Sequence, residues 1–390
     1  MKFWKYLIII LCAVQVTGCQ NKEVPSDLQA QLDSISTAMV PQRAEALCDL
    51  SLIMNNGKNI TVKGETNLPE AKEKVIELLS RSGYTINDSI TVLPDTTVVK
   101  KPWGLVSVSV CNIRAKPAHK AEMTTQALMG TPVKILNKQG GWLLVQTPDS
   151  YMGWTDDPIE ELSDSELENW KKVDRLIYLK YTGVITESHD QVVSDIVFGV
   201  ILQKTGEQSD YYKVLLPDGR EGQIKKTDAV DFRSWAINVK PDAAKMTEFA
   251  RTFLGTPYLW GGTSTKSVDC SGFAKTIYYS AGVILTRDAD GQCRYGTEIS
   301  IEHGCDSLVP GDLLYFGRDR DGITRITHTG MYIGDTEFIH SSRLVRINSF
   351  DSTRVNYSEY LLDILQGARR IIGLAPGEGF ERVSQHSWYF

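Results

Sequence analysis

The chain has 390 residues, 42% hydrophobic and 23% charged. These are ordinary globular proportions that exclude a fibrous or wholly disordered protein and leave room for roughly two to four domains. Its 42 Lys and Arg against 48 Asp and Glu give a net charge of -6, and no block of basic residues stands out, which argues against a nucleic-acid partner.

At the N-terminus, Lys2 and Lys5 precede an apolar run from Tyr6 to Val16. It is too short to span a membrane and has the length of a signal-peptide core. Val16, Thr17, Gly18 and Cys19 follow, and "VTGC" resembles the lipobox of bacterial lipoproteins. That resemblance implies removal of residues 1–18, lipid attachment at Cys19, a membrane anchor, and export to the bacterial cell envelope, at the periplasm or the cell surface. Of the seven cysteines, Cys12 would leave with the signal peptide and Cys19 would carry lipid. An odd number then remains, so at least one thiol is free, and no spacing marks a disulfide framework or a zinc site. Cys48 and Cys111 read as small buried hydrophobes, while Cys293 and Cys305 could pair.

The segment 19–98 reads as a small α+β domain. Leu28, Leu32, Ile35 and Met39 recur at helical spacing. "LCDLSLIM" and "NITVKGE" flank the turn signal "NNGK", and "PEAKEKVIELLSRSG" is an amphipathic helix stopped by Gly83, with a strand through Val92. From Trp103 to Leu162 the pattern changes to short alternating runs separated by Gly, Pro and Asp, the spacing of a small β-barrel. The stretch from Val173 to Phe232 repeats it. Both resemble bacterial SH3-like domains, with expected bounds of 99–165 and 166–238. The second copy lacks the tryptophans that stand at Trp142 and Trp154 in the first.

Residues 239–390 hold the chemistry. "DAAKMTEFARTFLG" places Met246, Phe249, Ala250 and Phe253 on one face of a helix capped by Asp242. "TPYLWGG" is a loop, and "DCSGFAKTIYYSAG" is a second helix with Asp269 as N-cap and Gly282 at its end. Cys270 therefore lies in the first turn. Unpaired N–H groups and the macrodipole there favour thiolate and predict a lowered thiol pKa. The same N–H groups could hold an oxyanion. "PGDLLYF" and "THTGMYIGDTEFIHSS" read as consecutive strands, the last two joined at Gly334-Asp335, which puts His328 and His340 on paired strands. One imidazole could take the thiol proton while the other orients it.

With "TPYLWGG", "DCSGF", "RDADGQ", "PGDLLYF" and "HTGMYIGDTEFIHSS" in order, the region 247–371 resembles the NlpC-type cell-wall peptidases, which have a papain-like fold. The resemblance implies Cys270 as nucleophile, His328 as general base and His340 as the orienting third residue. No cofactor or metal is implied. The substrate class it implies is the murein stem peptide, cut between D-γ-glutamate and the diamino acid. Two preceding SH3-like domains further resemble the dipeptidyl-peptidase-type members, which require a free N-terminal L-alanine. On that resemblance Glu122 and Tyr151 would recognise the substrate amine, with Tyr258, Asp269, Ser271, Arg287 and Asp288 lining the catalytic side. Ala289 stands where a small polar residue would be expected.

Two other functions fit some of these residues. One is a catalytically inert cell-wall-binding lipoprotein; the other is a hydrolase using Cys270, His328 and His340 as metal ligands. The first is opposed by the presence of all three triad candidates, and no ligand-spacing motif supports the second.

Overall fold

The computed structural model describes residues 24–40, 45–55, 58–187, 191–302 and 304–390. The signal-peptide and lipobox expectations, Cys19 included, lie outside the described residues. No described helix is long and apolar enough to cross a membrane. The chain divides into two compact units.

Of the described residues, the first comprises 24–39 and those from Cys48 to Thr91. Helices Ser26–Met39 and Pro69–Arg81 accompany a three-stranded sheet of Cys48–Met54, Asn59–Thr66 and Thr85–Val92, with the middle strand central. Leu28 and Leu32 from one helix and Val75 and Leu79 from the other meet Leu50, Leu52, Ile60, Val62 and Ile90 of the sheet. The apolar positions at three- and four-residue spacing in the helices, and every second residue in the strands, are thus the buried ones.

The second unit holds residues 40–47 and everything from Val92 onward. It contains two seven-stranded antiparallel sheets. The first is built from Trp103–Val106, Val110–Arg114, Met123–Leu128, Pro132–Gln139, Trp142–Gln146, Met152–Thr155 and Ile159–Leu162. The second uses Arg175–Tyr178, Thr182–Thr186, Val192–Val197, Ile201–Gln208, Tyr211–Leu215, Glu221–Lys225 and Ala229–Asp231. Numbered within each sheet, the strands lie side by side in the same order: seventh, first, fourth, fifth, sixth, second, third. The register breaks also coincide, between Ile135 and Asn137 in one and Lys204 and Gly206 in the other, and again at Ile113/Arg114 and Ile185/Thr186. A bulge is a designed bend in a strand, so shared bulges show that the loose sequence repeat is a structural one. Tyr211 takes the place of Trp142 and Gln223 that of Trp154.

The C-terminal part packs helices Ala243–Arg251 and Cys270–Ser280 against a six-stranded sheet. Its order is Thr297–Ile299, Leu365–Arg370, Leu313–Arg320, Ile323–Gly334, Glu337–Ser342, Leu344–Ser349. Met246, Ala250, Phe253, Phe273, Ala274, Ile277 and Tyr278 form one core with Leu313, Tyr315, Met331, Ile339 and Val345. Each fully buried aliphatic or aromatic side chain here contributes about 1.5–3 kcal/mol, enough to fix the helix carrying Cys270 on the strands carrying the two histidines. All five described cysteines are free, so Cys293 and Cys305 do not pair in this structure; they sit at the margins of two different cores.

Candidate active site

The Cys270 helix starts where the sequence predicts. Asp269 has extended backbone and its Oδ1 accepts from Gly272 N at 2.7 Å, an N-cap that makes Cys270 the first helical residue. Its other oxygen accepts from Gly261 N at 2.9 Å, and Asp269 N donates to the Gly262 carbonyl. One carboxylate thus ties the "LWGG" loop to the helix start. The packing is tight enough to exclude a side chain: a Cβ on Gly272 would overlap the Gly262 carbonyl oxygen.

Arg287 is 1% exposed and aims its guanidinium at the same carboxylate. Its Nη1 donates to Asp269 Oδ1 at 3.1 Å and to Ser271 Oγ at 2.8 Å, and its Nη2 donates to Asp269 Oδ2 at 2.5 Å. The fork geometry of arginine suits this bidentate contact. Nε donates to Thr125 Oγ1, so the strut reaches the first SH3-like domain. The next residue, Asp288, points the other way and accepts from Tyr151 Oη at 3.1 Å. Burial raises the Asp288 carboxyl pKa despite the neighbouring Arg287 charge and the Tyr151 hydroxyl. Burial, with the Asp288 charge, also pushes the Tyr151 phenol up.

The two histidines lie on neighbouring strands, with Met331 opposite Ile339 and Tyr332 opposite Phe338, and the connecting turn has positive φ at Asp335 and Thr336. His328 Nε2 and His340 Nδ1 are 2.6 Å apart. His340 Nε2 lies 2.9 Å from Asn348 Oδ1, and Asn348 Nδ2 donates to the Asn356 carbonyl. Burial lowers His328 to about 3, with His340 and Arg346 adding to the effect. Burial likewise lowers His340 to about 4 against the Asn348 hydrogen bond.

The thiol differs from the sequence reading. Cys270 is 7% exposed, and burial, reinforced by the Asp269 charge, pushes it up to about 11. Hydrogen bonding from the backbone of Thr329 and Ser271 and the charge of Arg287 act in the expected direction but are outweighed. Desolvation disfavours any charged form, so burial favours the neutral forms of the sulfur and of both imidazoles. The contact with Thr329, the residue after His328, brings the thiol to the histidine strand. Tyr258 stands close enough for the Cys270 and Asp269 charges to raise its phenol, although burial is the largest cause.

The structure therefore brings Cys270, His328, His340, Asp269, Ser271, Arg287, Asp288, Tyr151 and Tyr258 into one connected region. Glu122 is exposed, and its Oε1 accepts from Trp260 Nε1 at 2.6 Å in the loop that carries Tyr258. The acid that sits with Asp288 is Glu45. Its carboxyl is raised to about 7 by burial and by the charges of Asp149 and Asp288, and its Oε1 is buried without a hydrogen-bond partner. Asp149 is itself buried and ion-paired with Lys275 at 2.8 Å. Nothing local marks Glu45 or Asn348 in the sequence, since each acquires its neighbours through chain folding. Among the described residues, no group of three or more His, Cys, Asp or Glu is arranged to hold a metal ion.

Comparison with known proteins identifies the two kinds of domain. Residues 255–366 match the NlpC/P60 family, and residues 113–157 match the bacterial dipeptidyl-peptidase SH3 domain. A protein of Bacillus cereus named gamma-D-glutamyl-L-lysine dipeptidyl-peptidase is 33% identical over 311 residues, covering 76% of this chain and 90% of that protein. One of the same name from Bacillus subtilis is 29% identical over 230 residues, covering 56% and 72%. The crystal structure of an NlpC/P60 family protein from Bacillus cereus superposes with a TM-score of 0.59 at 26% identity, over 69% of this chain and 99% of that one. With the helix-borne cysteine and the strand-borne histidine pair on the domain those similarities span, the chain belongs to the NlpC/P60 family of cysteine peptidases.

Proposed function

We propose that the protein hydrolyses murein stem peptides at the D-γ-glutamyl-diamino acid bond, acting on fragments with a free N-terminal L-alanine. Cys270 attacks the γ-glutamyl carbonyl while His328 takes the thiol proton, so no free thiolate has to exist beforehand. The first backbone N–H groups of the Cys270 helix are the candidate donors to the oxyanion. His328 then protonates the departing amine, and water hydrolyses the thioester. His340 holds the His328 ring through the 2.6 Å contact.

The observation that carries the substrate reading is the Tyr151–Asp288 hydrogen bond, which joins the first SH3-like domain to the residue next to Arg287. With Glu45 it makes an acidic end to the region, and an ammonium ion would find charge-assisted partners there. A relative named for γ-D-glutamyl-L-lysine peptides that spans both domains supports the same substrate class. The "VTGC" segment supports lipid anchoring at Cys19 and action in the cell envelope.

The test compares L-Ala-γ-D-Glu-diaminopimelate with the same peptide capped by a muramyl group, reading products by mass spectrometry. Cleavage of the free peptide alone agrees with the proposal. Equal cleavage of both refutes amine recognition, and cleavage of neither refutes the substrate class.

A further inference from the structure

The hydrogen bonds behind the histidine pair have only one consistent proton arrangement. The Asn356 carbonyl already accepts from Ser349 N at 3.0 Å and can only accept. The Asn348 side-chain nitrogen, not its oxygen, must therefore face it, as the 2.9 Å contact has it. Asn348 Oδ1 then faces His340 Nε2 and, being an acceptor, requires a proton on that nitrogen. In a neutral His340 this leaves Nδ1 as a lone pair. His328 Nε2, 2.6 Å away, must donate to it. A neutral His328 is then left with Nδ1 as its one basic nitrogen.

We propose that Asn348 is a positioning residue that sets the tautomer of both imidazoles in series, so that His328 meets the thiol with an unprotonated Nδ1. This rests on the peptidase reading above for its catalytic meaning but not for its tautomer content. Asn348 touches neither the thiol nor His328 and acts through His340. The strand bearing it, Leu344–Ser349, pairs with the strand bearing His340 in unbroken register from Glu337/Ser349 to Ser342/Leu344, so the amide is held at a fixed height beside the ring. Asn356 is held in turn, its Nδ2 donating to Glu337 Oε1 at 2.9 Å, and Glu337 is paired with Arg354 at 3.2 Å. The charged or titratable groups bearing on the histidine pair are the two rings themselves, the Cys270 thiol that His328 serves, and Arg346, which lies opposite His340. Burial favours the neutral form of both rings, the condition under which a tautomer choice matters. A wrong tautomer would turn the Nδ1 lone pair into an N–H, which cannot take a proton.

The test combines ring-nitrogen NMR with kinetics on the full protein. In the wild type, ¹⁵N shifts should show both imidazoles protonated at Nε2 and bare at Nδ1. Asn348→Leu should give mixed tautomers and lower kcat about 10- to 100-fold, the range typical of outer hydrogen-bond partners, with KM nearly unchanged. Asn348→Asp, still an acceptor for His340 Nε2–H but without the donor to the Asn356 carbonyl, should keep the wild-type tautomers, with kcat above that of Asn348→Leu. Its added negative charge should move the acid limb of the pH–rate profile upward. The inference is overturned if Asn348→Leu keeps the wild-type tautomers, or if Asn348→Asp shows the same mixed tautomers as Asn348→Leu. The NMR needs no substrate, so wild-type protein that cleaves no stem peptide would overturn the peptidase reading and leave the tautomer result to be judged separately.

Discussion

Replacing Arg287 with Met would remove a guanidinium that is 1% exposed and makes four hydrogen bonds, to both oxygens of Asp269, to Ser271 Oγ and to Thr125 Oγ1. Methionine keeps most of the stem volume, so the loss is electrostatic rather than a cavity. Stranding one partner of a buried ion pair costs about 3–5 kcal/mol. Counting two charge-assisted hydrogen bonds at about 1.5–3 kcal/mol each gives about 3–6 kcal/mol, an overlapping range. With a urea slope of about 3 kcal/mol per M, the unfolding midpoint of the second unit should fall by about 1 M or more, followed by tryptophan fluorescence. Adding Asp269→Asn removes the stranded charge, so the double variant should be more stable than the sum of the single losses by at least about 1 kcal/mol. An Arg287→Met loss below about 1 kcal/mol, or strictly additive variants, would refute the view that this pair ties the catalytic helix to the first SH3-like domain.

Glu45, raised to about 7 in the folded protein, stabilises only while protonated: its contribution is complete below its unfolded pKa and is lost as pH rises through about 7. Glu45→Gln should therefore gain in stability relative to wild type as pH rises from 5 to 8, by about 1 kcal/mol or less because solvent screens a half-buried group, read as a pH-dependent difference in Tm; a constant difference across that range would contradict the assignment. Gly272→Ala should cost about 1–3 kcal/mol by overpacking against the Gly262 carbonyl, with kcat falling as the cysteine turn shifts. Unchanged thermal unfolding and kcat would count against the close approach. His340→Gln can still accept from His328 Nε2 and should keep more activity than His340→Ala, measured as kcat on the free peptide, and equal loss in both would argue against an orienting role.

Local grammar made much of the fold readable. Asp269 before "CSGF" and Asp242 before "AAKM" are N-caps because their side chains satisfy first-turn N–H groups a few residues on, a relation written in adjacent positions. The paired histidine strands were legible for the same reason, from a tight turn between two alternating runs. The barrel repeat was visible although Tyr211 and Gln223 replace its tryptophans, since strand spacing and turn positions survive such changes. Long-range electrostatics was not legible. The helix terminus argued for a lowered Cys270 pKa, but burial by the sheet reverses the sign, and burial depends on the whole fold. Glu122 accepts from Trp260 in the Tyr258 loop, while Glu45, far away in sequence, comes near Asp288 and Asp149. Asn348 has meaning only once two strands put it beside His340.

The most direct measurement of the central claim is rapid-quench mass spectrometry of the protein mixed with L-Ala-γ-D-Glu-diaminopimelate, followed by peptide mapping. The account predicts a transient acyl group, the L-Ala-γ-D-Glu moiety, on the peptide containing Cys270, absent in a folded Cys270→Ala variant that also releases no diaminopimelate. Wild-type turnover by that variant, or acylation at any other residue, would contradict it.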